Sequence, residues 1–245
     1  MADTGDHKLT KHAIKPARRR NVDRSAATRS QILDATIRAL TEFGYGAVTN
    51  HLVAELAGVS RGAMMHHFPT RQDLLVAAMD YICAKLMSQR VADLEKLEAG
   101  LPRFRRIIDL AFRTAASPAG VAHNEIRTGS RSDKALTDAV RPIITQISDD
   151  YGRFVGRLVR EAGLSPDAEL QGLSAIVAMT AQAIAINRAT YNSPQMMVNI
   201  VLSLKLSREH IIAKQLGVAK AMTLKQIEAE TPAVPTKQKK SRRAN

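Results

Sequence analysis

The sequence predicts an all-α fold, a unit of three helices at the N-terminus followed by a larger helical body, and three observations carry that prediction. Apolar residues recur at i, i+3, i+4 and i+7 through most of the chain, the spacing that lines one face of an α-helix. Glycine, proline and Ser/Thr caps punctuate the periodic runs, as they do at helix ends. No stretch alternates apolar and polar residues persistently enough to compete as a strand.

Taken in order, residues 1–27 are polar and basic, with Arg18, Arg19 and Arg20 in succession, and predict a disordered arm. From Thr28, the positions Ile32, Leu33, Ile37, Leu40 and Phe43 mark a first helix that Gly44 stops. Asn50 to Ala57 predicts a short second helix broken by Gly58, and Ser60 caps a third over 61–67 before Pro69-Thr70 punctuates again. Thr70 caps a long fourth helix, with Asp73 three residues on as a weak capping box and apolar spacing through Leu74, Leu75, Ala78, Ile82, Leu86 and Leu94. Gly100-Leu101-Pro102 opens a helix carrying Phe104, Ile107, Ile108, Ala111 and Phe112 as far as Ser117-Pro118, and residues 120–135 are ambiguous. A long helix follows over about 136–162, with a kink expected at Pro142 and a stop at Gly163. Ser165-Pro166 opens a helix over 166–191 that is apolar on nearly every side around Ile176 to Ile186 and is therefore expected to be buried. A last helix spans 194–216, and 217–245 predicts a disordered basic tail.

Composition narrows the function classes. With 245 residues, 45% hydrophobic and 24% charged, the chain can bury a substantial core. Its formal charge of +13 is unevenly placed: residues 1–27 hold seven Lys/Arg against three acids, and 217–245 hold seven against two. The ends are thus suited to a polyanion, and the body between them is nearly balanced. A single cysteine, Cys83, excludes an intramolecular disulfide and a cysteine-based zinc site; it fits a reducing cytoplasm and reads as a buried helix residue. The start, with Asp3, Asp6 and His7, lacks the apolar core of a secretory signal, and no run of about 18 apolar residues is present, so the expectation is a cytoplasmic protein without membrane association.

The segment Ala57-Gly58-Val59-Ser60 joins two short helices as a helix-turn-helix requires: glycine permits the turn and Val59 packs beneath both helices. The second helix of the pair would enter the major groove, with Val59, Met64 and Phe68 facing the core and Arg61, Gly62, Met65 and His66 facing DNA. Short helices separated by glycine are also ordinary connectors, so periodicity alone leaves both readings open.

The residues themselves decide between them. Gly44-Tyr45, the run Val53-Ala54-Glu55-Leu56-Ala57-Gly58-Val59-Ser60-Arg61-Gly62, and the run from His67-Phe68-Pro69-Thr70-Arg71 through Gln72-Asp73-Leu74-Leu75, all within Thr28 to Ile82, resemble the tetracycline-repressor (TetR) family. The resemblance implies a dimer of all-helical subunits, with a small DNA-binding domain at 28–73 and a C-terminal ligand-binding and dimerisation domain at 74–216. It implies that Thr49 and His67 touch phosphates, that Arg61 and Arg71 clamp the backbone, and that Ala63 and His66 lie over base edges. Two positions depart from the family pattern: Met65 stands where tyrosine is common and Asn50 where an apolar residue is common. Met65 cannot donate to a phosphate but can contact a thymine methyl, and Asn50 can add a polar contact.

His66 and His67 point about 100 degrees apart on a helix and have no acidic i+4 partner, so no metal site is expected. No nucleophile motif appears and no cofactor is expected, which argues against an enzyme. Gly152 and Gly156 form a GxxxG spacing read as close helix packing. The body is expected to enclose a mostly apolar cavity, with Tyr81, Phe104, Phe112, His123, Phe154, Met179 and Gln182 as candidate liners. Few aromatics point away from a stacking multidrug pocket and toward a small apolar or aromatic inducer. The resulting expectation is a homodimeric repressor released from a palindromic operator by that ligand, with the last two helices of each subunit as the dimer interface and the fourth helix as the transmission element. An architectural DNA-binding protein driven by its tails, or a helical protein-interaction module, are the alternatives.

Overall fold

A computed structural model describes residues 16–187, 193–218 and 221–230, and among them every regular element is helical. The order is α1 (Pro16–Phe43), a single 3-10 turn (Tyr45–Ala47), α2 (Asn50–Ala57), α3 (Arg61–His67), α4 (Arg71–Glu95), α5 (Leu101–Arg105), α6 (Ile107–Ala115), α7 (Pro118–Ser130), α8 (Lys134–Glu161), α9 (Ala168–Asn187), α10 (Pro194–Leu216) and α11 (Leu224–Glu230).

The N-terminal unit follows its local chemistry closely. Thr49 accepts from the Leu52 amide and Ser60 from the Ala63 amide, which satisfies orphan donors at the starts of α2 and α3. Gly58 ends α2 in the left-handed conformation at φ 64°. At α4 the capping box is complete: the Thr70 hydroxyl accepts from the Asp73 amide at 3.1 Å, while the Asp73 carboxylate accepts from the Thr70 amide at 3.0 Å.

Elsewhere the helices depart from the sequence expectation. α1 begins at Pro16, inside the segment expected to be disordered. Proline is favoured at a first helical position, and once the apolar half of α1 is nucleated, the Ala- and Arg-bearing stretch before it extends the helix at little further cost. Residues 1–15 and 231–245, including the Lys237–Arg243 cluster, lie outside the described residues. The expected helix from 101 to 117 is two, α5 and α6, meeting at Arg106. The ambiguous stretch at 120–135 contains α7, capped by Ser117 and started by Pro118; its buried face is Ala119, Gly120, Ala122, Asn124, Ile126 and Ser130. That face is built largely of small and polar side chains, so it gives no strong hydrophobic period. α8 runs through Pro142.

The expected tail contains α11, where the Thr223 amide and hydroxyl both donate to the Gln226 side-chain oxygen and Ile227 is buried. One apolar anchor is too little to generate a period. α9 is the largest correction: it was expected to be buried all round, yet Ile176, Met179 and Ile186 are 55%, 70% and 53% exposed, while Leu170, Val177 and Ala181 are buried. It is also the one described helix long and apolar enough to cross a membrane by length and composition. Residues 188–191 of that expected helix lie outside the described residues.

The first core cluster joins Ile32, Leu33 and Leu40 of α1 to Val53, Met64, Phe68, Leu74 and Met79, and continues without a break to Ile126 of α7 and Leu136 and Val140 of α8. The N-terminal unit therefore shares a core with the body. A second cluster, Leu94, Phe104, Leu158, Leu164 and Ile212, closes the far end, and Ile108, Ala111, Val177 and Leu204 form a third.

α10 is locked to α5 and α6 by buried charge. Glu209, 2% exposed, accepts from Arg105 at 2.8 Å and from the adjacent Arg208, while Asp109 pairs with Lys205 at 2.6 Å and Arg106 at 3.4 Å. Removing one partner of such a set leaves uncompensated charge in a poorly solvated place. Glu209→Gln is expected to lower unfolding free energy by about 3 kcal/mol, read as a shift in the denaturant midpoint with the slope unchanged.

Candidate nucleic-acid interface and adjoining cavity

α3 is short, amphipathic and anchored from below. Met64 and Phe68 are buried and Val59 packs against the same cluster, as the spacing requires. The opposite face presents Arg61, Gly62, Met65 and His66 to solvent, with Ala63 partly covered and Thr49 exposed at the start of α2. A Cβ on Gly62 would meet only Ser60 Oγ at 3.9 Å, so this position is open to close approach by another molecule. No acid lies on α3, and the His66 and His67 rings stand edge to face at 5.3 Å. Burial holds the His67 pKa below its ordinary value, with His66 and Arg29 pushing the same way. Arg29, whose guanidinium sits 5.3 Å from the Phe68 ring centre, is a basic neighbour of this face that helical spacing alone did not single out.

Two sequence-predicted DNA contacts are engaged inward instead. Asn50 donates through Nδ2 to the Phe68 carbonyl at 2.8 Å, which ties the start of α2 to the end of α3. Arg71, expected to clamp the DNA backbone, donates through Nε to the Val48 carbonyl at 2.6 Å and through Nη2 to the Tyr45 carbonyl at 2.7 Å. Its guanidinium also lies over the Tyr45 ring at 4.3 Å. Arg71 is thus spent on the turn before α2, a long-range contact that no local pattern encodes.

That turn is where the head meets the body. The Tyr45 amide donates to Glu125 Oε2 at 2.8 Å, and the Tyr45 ring lies so close to Gly129 that a Cβ there would fall 2.2 Å from Cγ. Thr41 donates to the Pro118 carbonyl at 3.2 Å. α7 supplies all three contacts, and its other side lines a cavity.

The cavity holds about 530 Å³ between α4, α6, α7, α8 and α9. Three predicted liners are in it: His123, Met179 and Gln182. Four are not. Tyr81 donates to Asp34 at 3.1 Å on the head side; Phe104 and Phe154 pack in the second core cluster and Phe112 against the third. α8 turns Ile144, Ile147, Ser148 and Tyr151 toward the cavity, and Phe154 falls one turn beyond it. Sequence reasoning missed Arg90, Asn124, Arg127 and Tyr151 as liners. Two of these lie on α7, the stretch whose period could not be read. Gly152 also lines the cavity, and a Cβ there would meet nothing within 4 Å, while one on Gly156 would meet only Arg160 Nη1 at 3.6 Å, so neither glycine is there for close helix packing within the described residues. Burial drives the His123 pKa down to about 4, with Arg127 adding to the effect, so the ring is neutral near pH 7. Burial likewise raises Cys83 to about 11, which makes it an inert thiol. Among the described residues, no group of three or more His, Cys, Asp or Glu could hold a metal ion.

Residues 32–78 match the model of the family described as bacterial regulatory proteins, tetR family. The chain is 35% identical over 85 residues to the transcriptional regulator CymR of Pseudomonas putida, a stretch covering 35% of this chain and 42% of that protein. It thus spans less than half the length of this curated relative. A putative TetR-family regulator from Rhodococcus sp. shares the fold at TM-score 0.56 and 21% identity, over 73% of this chain and 97% of that one. A putative transcriptional regulator from Saccharomonospora viridis, solved in complex with choline, shares it at TM-score 0.59 and 19% identity, over 73% and 94%.

Arg71→Ala is expected to destabilise by about 1–3 kcal/mol through the acceptors it leaves unpaired. Arg61→Ala, on the open face, should change stability by less than about 0.5 kcal/mol; denaturant titration of the two variants side by side checks the contrast. The lowered His123 pKa means that the unfolded chain takes up a proton more readily than the folded one between about 6.5 and 4. The stabilising contribution is complete above pH 6.5 and is lost as pH falls toward 4, so His123→Gln should flatten the stability profile across that window.

Proposed function

We propose that this chain, whose residues 32–78 match the tetR family model, is a DNA-binding transcriptional regulator: a cytoplasmic homodimer that represses from a palindromic operator and is released by a small molecule held in the body. The observation that carries the DNA reading is the head itself, a capped helix-turn-helix with Arg61, Met65 and His66 exposed on a face free of acids. In the proposed complex α3 lies in the major groove, Thr49 and His67 contact phosphates, Arg61 holds the backbone, and Ala63, Met65 and His66 reach base edges. Asn50 and Arg71 act one step back, fixing the head's shape.

Dimerisation is supported by the apolar strip that α9 leaves uncovered, Ile176, Met179 and Ile186, continued by Met196 of α10. An exposed patch of this kind beside a packed core is what a second copy would bury. Two heads on one duplex face would then sit about 34 Å apart, one helical turn. A shift of a few ångströms in their separation removes one of them from register.

The release step is supported by the dual role of α7. The same helix lines the cavity through His123 and Asn124 and touches the head through Glu125 and Gly129. The ligand is a small molecule with an apolar or aromatic body, in keeping with Leu86, Ile144, Ile147 and Tyr151 around it. The chain's likeness in fold to a regulator solved in complex with choline is in keeping with a small-molecule ligand.

Selection from a random DNA pool should return a two-fold symmetric motif bound at least about 1000-fold more tightly than random duplex at physiological salt. Arg61→Ala, which removes a backbone contact, should weaken binding about equally across sequences and reduce the salt slope by about one. Binding without sequence preference would favour the tail-driven architectural alternative, and no DNA binding at all would favour the protein-interaction module.

A further inference from the structure

We infer that the cavity is built for an anion, and specifically that it takes a small organic monocarboxylate whose charged end meets Arg90 and Asn124 while its apolar body lies against Ile144 and Ile147. This rests on the reading of the body as a ligand-responsive sensor and names the class of ligand.

The argument begins with charge. The cavity wall carries two guanidiniums, Arg90 from α4 and Arg127 from α7, and no carboxylate. Neither arginine forms an ion pair with an acid among the described residues. Two nearby acids are engaged elsewhere, Asp93 with Lys96 and Arg113 and Glu125 with the Tyr45 amide, and Asp80, whose charge reaches Cys83, lies on the exposed side of α4 and outside the cavity wall. Arg127 is held only by the Gln182 side-chain oxygen, a neutral partner. A surplus of positive charge around a partly enclosed space, without its own counter-ions, favours an anionic occupant.

Unmet hydrogen bonding then fixes where the anion sits. Arg90 Nε is buried without a partner, and so is Asn124 Nδ2, on a side chain only 5% exposed. Buried donors are ordinarily satisfied, and these two, just beneath the surface of one cavity wall, are what an acceptor drawn in between Arg90 and Asn124 would satisfy. A guanidinium forks onto two coplanar oxygens of a carboxylate or of a phosphate alike. The apolar remainder of the wall, Leu86, Ile144 and Ile147, favours the anion that brings an apolar body with it, an organic carboxylate, over free phosphate. A cationic ligand is disfavoured twice, by the two arginines and because the face of Tyr151, the aromatic ring in the wall, is already covered by the Arg90 guanidinium at 4.8 Å. Burial is the main cause of the lowered His123 pKa, and Arg127 and, more weakly, Arg90 press on that ring in the same direction.

The test is calorimetric titration of the full chain, without DNA, with benzoate, 4-phenylbutyrate and octanoate, each beside its neutral amide. Inorganic phosphate and choline are run as anion and cation controls. At least one carboxylate should bind at least tenfold more tightly than its amide, with phosphate and choline failing to compete. In Arg90→Gln the acid-to-amide ratio should fall to about one, and Arg127→Gln, an exposed substitution that does not endanger folding, should lower it by at least threefold. The inference is overturned if no carboxylate of the set binds, if amides bind as tightly as acids, if choline is the preferred ligand, or if both variants keep the wild-type ratio. Failure here leaves the DNA reading intact, because operator selection does not depend on the cavity. Loss of specific DNA binding alongside retained carboxylate preference would reject only the regulator reading.

Discussion

The constraint on which the rest of the structure depends is the seat of Tyr45. Its ring fits only because Gly129 has no side chain, its carbonyl and the neighbouring Val48 carbonyl are held by Arg71, and its amide is held by Glu125. Three elements distant in sequence, the turn after α1, the start of α4 and the end of α7, are thereby fixed to one residue. Since the core that runs from Ile32 through Leu74 to Ile126 is unbroken, the head cannot move as a loose bead on a linker. Packed interfaces of this kind have discrete arrangements rather than continuous ones, which is what a coupled switch needs.

The cavity stands at the opposite side of the same helix, and two of its wall residues, Arg90 and Asn124, carry buried donors without a partner. Where Thr49, Ser60 and Thr70 cap the helices of the head, the cavity leaves Arg90 and Asn124 with unused donors and lets α9 contribute small residues, Ser174, Ala175, Ala178 and Ala181, that do not fill the space. Such a site gives up stability that a ligand can restore on binding. In the proposed mechanism, binding energy delivered to Asn124 would act on α7 one residue from Glu125, so that ligand and head are tied by a contiguous path. The coupling available is limited by the difference in ligand affinity between the two arrangements, typically about 1–3 kcal/mol.

α9 and α10 differ from each other in the way they are held. α10 is fixed by buried ionic contacts to α5 and α6, a rigid support from which its own sequence gives little amphipathic signal. α9 packs by one face and leaves an apolar strip on the other. In the proposed dimer that strip becomes interior, and the cavity wall that α9 forms then sits directly beneath the subunit interface. Ligand size, dimer packing and head spacing would be linked through this one helix.

Much of this was legible in the sequence, for a physical reason: caps, turns and amphipathic periods are local. Thr49, Gly58, Ser60 and the Thr70/Asp73 pair act within a few residues of themselves, so α2, α3 and the start of α4 lie where the sequence puts them, and so does the solvent face of α3. What the tertiary structure decided is what distant residues do to one another. Arg71 and Asn50 carry donors that suit DNA equally well, and only the fold turns them toward Tyr45 and Phe68. α7 was unreadable because its buried face consists largely of alanine, glycine, asparagine and serine; α9 looked wholly interior because hydrophobicity reports a need for burial and not the partner that meets it. The predicted aromatic liners went elsewhere for a related reason. A cavity is the space that side chains fail to fill, and it is set by the small residues and the unpaired polar atoms around it, which no single helix specifies alone.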